Sequence, residues 1–86
     1  SERDKWHINE VMKRNSKIAK MKIIKEYFHK MFDAEDELTA QVMLSECYEW
    51  SYQIKAWNLT KYFWNLMERK ELLNYFRHRL TSGVSE

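Results

Sequence analysis

Eighty-six residues, of which 44% are hydrophobic and 33% charged, make a single globular domain spanning 1–86, with room for one core and none for a site enclosed between two domains. With no proline and only one glycine, Gly83, the chain lacks the Gly, Asn-Gly or Asp-Gly turns that join short strands, which argues against sheets. No apolar run is long enough to span a bilayer, no secretory pattern opens the chain, and the lone Cys47 cannot form an internal disulfide, so the expectation is a soluble protein of the cytoplasm or nucleus with no membrane partner.

The net charge of +2 conceals three blocks. Residues 1–30 carry nine Lys/Arg against four Asp/Glu, residues 31–50 carry six acids and no Lys/Arg, and residues 51–86 carry six Lys/Arg against three acids. An acidic block between two basic ones suggests charge complementarity between neighbouring antiparallel helices, although such surface pairs are individually weak.

The first helical region runs from about 4 to 32. At about 100° per residue, Ile8, Val11, Met12 and Ala19 fall on one face, whereas Ile24, Tyr27, Phe28 and Met31 fall on nearly the opposite one. That switch is explained by a break near Asn15-Ser16, both good N-cap residues, or by one helix that meets different neighbours along its length. Lys13, Lys17 and Lys20 stack at helical spacing, with Arg14, Lys22 and Lys25 nearby, as a helix following a phosphate backbone or docking on an acidic protein would have them.

Asp33 is the predicted N-cap of a second helix over 34–57, with Glu35, Asp36 and Glu37 in the first turn, where the helix dipole favours negative charge. Ala40, Met43, Leu44, Cys47, Trp50, Ile54 and Trp57 form its apolar stripe. After Trp57 the pattern re-registers into a third helix over 60–80, capped by Asn58 or Thr60. Its core stripe is Leu59, Tyr62, Phe63, Leu66, Leu73, Phe76 and Leu80. Arg77, His78 and Arg79 suit its last turn, Gly83 is a plausible stop, and residues 81–86 are expected to fray. The fold class that follows is all-α, a small antiparallel bundle of three helices, or four if the first region splits.

Chemistry is thinly signalled. Glu26 and His29 have the Glu-x-x-His spacing of a di-iron helix, but no second such pair exists. His7, His29 and His78 are scattered without zinc-site spacing, and Cys47 lies on an apolar stripe, where a packed, inert thiol is expected. Asn58-Leu59-Thr60 matches a glycosylation sequon but reads as a turn. No catalytic set, metal site or cofactor is implied, and the sequence reads as a non-catalytic interaction module rather than an enzyme.

Trp50, Trp57 and Trp64 recur every seven residues, and the simplest account is core. Trp64 differs, because the stripe of the third helix leaves it and Tyr75 on the opposite side with Glu68 and Glu71. These four residues form the expected strip for another protein, since exposed Trp and Tyr are interface anchors. The alternative is a nucleic-acid-associated protein that neutralises phosphates through Lys13, Arg14, Lys17 and Lys20.

Overall fold

The computed structural model describes residues 8, 10, 12, 13 and 16–85, with side chains described as far as His78. Among these residues the regular structure is entirely helical: α1 (Lys17–Met31), α2 (Glu37–Gln53), α3 (Trp57–Arg69) and α4 (Glu71–Ser85). Ile8, Glu10, Met12 and Lys13 are also helical.

Each boundary has a local cause. Ser16 is extended and its hydroxyl accepts from the Ala19 N–H, which starts α1. Lys13 therefore precedes a break and is not in register with Lys17. Asp36, not Asp33, caps α2: its carboxylate accepts from the Thr39 N–H at 2.7 Å, a bond that holds its pKa below the usual carboxylate value. Asp33 instead donates its N–H to the Lys30 carbonyl in the turn that leaves α1.

Two lysines supply the remaining turns. Lys55 (φ 60°) and Lys70 (φ 55°) occupy the left-handed region that usually falls to glycine. The first turns the chain between α2 and α3. The second splits the continuous helix expected over 60–80 into α3 and α4, and α4 then runs on through Gly83 to Ser85, so residues 81–85 are helical rather than frayed. Neither Asn58 nor Thr60 caps α3, which starts after Ala56 without a side-chain cap bond. The sequon tripeptide lies inside α3 rather than in a turn.

The order of contacts along each pair fixes the topology. Tyr27 of α1 donates to Glu46 at 2.6 Å and meets the Trp50 ring at 5.0 Å, while Tyr48, Ser51 and Tyr52 of α2 meet Trp64, Thr60 and Trp57 of α3 in reversed order. Helix α2 is therefore the central element, packed between α1 and α3, with α3 antiparallel to it. Helix α4 folds back so that Leu72 and Phe76 join a core of Ile8, Ile24, Phe28, Met31, Ala40, Leu44, Cys47, Trp50 and Phe63. Where α2 meets α3, Ser51 and Thr60 are buried as a satisfied pair: Ser51 donates to the Tyr48 carbonyl and accepts from Thr60 at 2.9 Å.

Of the heptad-spaced tryptophans only Trp50 is core. Trp57 is 55% exposed and Trp64 48% exposed. Trp57 misses the core because the reversal at Lys55 ends α2 before it, placing it at the start of a helix with a different buried face.

Candidate nucleic-acid interface

Helices α1 and α3 both pack on α2, and the seam between them is closed by side chains rather than by close backbone approach. Its floor is aromatic: the Phe28 ring lies 5.7 Å from Tyr62 and 5.3 Å from Phe63. Along the α1 wall, Lys17, Met21, Lys25 and His29 recur every four residues, so they share one flank of the helix. Tyr62 and Asn58 stand on the α3 wall.

Two recesses open on this seam. One, of about 310 Å³, is lined by Lys25, Phe28, His29, Leu59, Tyr62 and Phe63. The other, of about 290 Å³, is lined by Lys17, Met21, Lys55, Ala56, Trp57 and Asn58. Among the described residues no Asp or Glu lines either one. Lys17, Lys25 and Lys55 are all exposed, and Lys17 donates from Nζ to the Lys55 carbonyl at 3.1 Å. That contact places an ammonium at the negative end of α2, a favourable position for a cation. Because α3 starts at the same opening without a side-chain cap, the positive end of its dipole adds to the field there. The seam thus presents cations over an aromatic floor.

The residues singled out from the sequence are distributed differently. Lys17 stands in the seam. Lys13 is exposed and lies 3.8 Å from Glu10, Lys20 is half-buried on the flank that carries Tyr27 towards α2, and Arg14 lies outside the described residues, as do His7, Val11 and Asn15. Sequence reasoning missed Lys55, Asn58 and Tyr62 as partners of α1, and nothing in the linear pattern joins them to it.

The expected strip of Trp64, Glu68, Glu71 and Tyr75 has all four side chains exposed, but they are divided between two helices. It required one uninterrupted helix, and the left-handed Lys70 breaks that helix between Glu68 and Glu71. Trp64 lies 5.7 Å from Tyr48 on the α2 side of α3, whereas Tyr75 of α4 packs 5.1 Å from Phe32 at the end of α1.

The other candidates lie apart from the seam or at its edge. Glu26 and His29 are exposed, and among the described residues no group of three or more His, Cys, Asp or Glu side chains converges to hold a metal. The larger cleft of about 460 Å³ between α2, α3 and α4 is walled mainly by Leu44, Leu66, Met67, Leu72 and Leu73. Cys47 is fully buried, and burial together with the neighbouring Glu46 carboxylate pushes its thiol up to about 12. At neutral pH it is expected to stay unmodified by iodoacetamide in the folded chain and to react once the chain is unfolded. Equal labelling in both states, read by mass, would show that the thiol is accessible. No described helix is long and apolar enough to cross a membrane.

No curated protein and no solved structure matches the chain. A family model described as transposase, DDE_Tnp_ISL3, matches residues 1–86. This match overturns two expectations from the sequence. The family is one of transposases, so the expectations of a non-enzyme and of a module defined by a protein partner are overturned, and the nucleic-acid alternative fits better. Matched along its whole length, the chain belongs to the DDE_Tnp_ISL3 transposase family.

Proposed function

We propose that this chain is a DNA-contacting helical part of a transposase, and that it binds the phosphate backbone along the α1/α3 seam through Lys17, Lys25 and Lys55. Membership of the transposase family over residues 1–86 carries this reading. The seam supports it physically, because cations without interspersed carboxylates attract phosphates, and contacts of this kind position a protein on DNA without reading its sequence. Lys22 is exposed on the neighbouring flank of α1, whereas Lys13 lies 3.8 Å from Glu10 and Lys20 is half-buried, so these contribute less than the three seam lysines.

Binding of a fluorescein-labelled duplex, followed by anisotropy across a salt series, tests the proposal. Three neutralised phosphates predict a slope of about −2.7 in log K against log salt, and a loss of roughly 40-fold between 50 and 200 mM. Affinity should vary little among duplexes of unrelated sequence. Absence of binding at low salt, or binding indifferent to salt, would refute the proposal.

A further inference from the structure

The α1/α3 seam contains one feature that duplex backbone binding does not use. Trp57, 55% exposed, and Tyr52, 57% exposed, stand beside each other at the α2/α3 reversal with ring centroids 5.5 Å apart and planes at 77°. Tyr52 meets Trp57 from α2, while Trp57 also lines the recess it shares with Lys17, Met21, Lys55 and Asn58. The indole is therefore positioned between an aromatic support and a cationic opening.

The size and chemistry of that opening select the occupant. At about 290 Å³ it lies at the lower limit of small-molecule clefts, about 300–1,000 Å³, which suits one planar group. An exposed indole offers a π-face on which any base can stack. Of the three N–H groups on the Lys17 ammonium, the bond to the Lys55 carbonyl uses one, and the others can reach a phosphate beside a stacked base. Asn58, exposed at the rim, offers an amide with both donor and acceptor groups for a base edge. An apolar protein segment would gain nothing from the two lysines, and a bare phosphate would gain nothing from the indole.

The geometry points to Trp57, Lys17 and Lys55 as a site for an unpaired nucleotide of DNA, the base stacked on the indole and its phosphate held by the lysines. This deepens the DNA reading and depends on it. It assigns the seam two tasks: duplex phosphates along its length, and a displaced or single-stranded nucleotide at the α2/α3 end.

The test compares three labelled DNAs with the same duplex: blunt, with a three-nucleotide single-stranded overhang, and with that overhang made abasic. The abasic form keeps the phosphates and removes the bases. The wild-type chain is expected to bind the base-bearing overhang roughly tenfold more tightly than the abasic one, within the range of aromatic stacking. Trp57→Ala should bring that ratio close to one, Trp57→Phe should retain most of it, and Trp64→Ala should leave it unaltered. Circular dichroism melting checks that each variant is folded. If the wild type binds all three DNAs equally, or if Trp57→Ala keeps the ratio, the unpaired-nucleotide site is refuted while duplex binding stands. If the wild type binds none of them, the DNA reading itself fails.

Discussion

Replacing Phe63 by alanine is expected to lower the melting temperature by roughly 20 °C or more, while the same truncation at Trp57 shifts it by only a few degrees. Phe63 is buried and lies 5.3 Å from the Phe28 ring, at the point where α1 and α3 meet over α2. Truncating a buried Phe to Ala costs about 3–5 kcal/mol, because the lost transfer energy is joined by a cavity the helices cannot close. Domains are stable by roughly 0.05–0.15 kcal/mol per residue, so this one mutation removes a large share of what a chain of this length possesses. Trp57 is larger but more than half exposed, and its principal ring neighbour, Tyr52, is itself exposed. Thermal melts of the two variants beside the wild type decide the matter: similar falls for both would mean that Trp57 is enclosed in solution and that the recess beside it is closed.

Reversing one charge in the seam should have the largest effect on DNA. Lys25→Glu is expected to weaken duplex binding at low salt at least tenfold, whereas Lys30→Glu, which makes the same change in net charge, should alter it less than about threefold. A unit charge pair about 4 Å apart is worth about 1 kcal/mol in water, and converting attraction into repulsion doubles the change. Both lysines are exposed, so neither variant should disturb the core. They differ in position: at about 100° per residue, Lys30 sits about 140° around α1 from Lys25, away from the seam. Equal losses for the two variants would mean that DNA responds to overall charge and not to the α1/α3 seam.

What was legible in the sequence follows from the range over which each feature is determined. Helical class was readable because it depends on local periodicity and on the scarcity of Gly and the absence of Pro. The cores of α1 and α2 were readable because Ile24, Phe28 and Met31, and Ala40, Leu44, Cys47 and Trp50, repeat at helical spacing. The split at Lys70 was not readable, since a lysine in the left-handed region carries none of the usual punctuation, and it puts Trp64 and Tyr75, both exposed as expected, on different helices. Asp33 and Asp36 are chemically the same cap, and only the hydrogen bond to Thr39 distinguishes them. The lysine row of the first region projected one cylinder through Ser16, where the chain is extended. Half the seam was visible as lysines on α1. The other half comes from Lys55, Asn58 and Tyr62, some thirty residues later, and enters only through the packing of both helices on α2. Transposase membership was not legible from composition or spacing at all.

The left-handed backbone at Lys55 sets two demands on a single codon. A side chain with a β-carbon pays roughly 1–2 kcal/mol in that conformation and glycine does not, so folding alone favours glycine at the reversal between α2 and α3. The residue there instead carries a cation, in the same recess as Lys17 and Trp57. Lys55→Gly should therefore raise the melting temperature while taking one cation out of the recess, so that stability and charge at this reversal can be varied in opposite directions by one substitution.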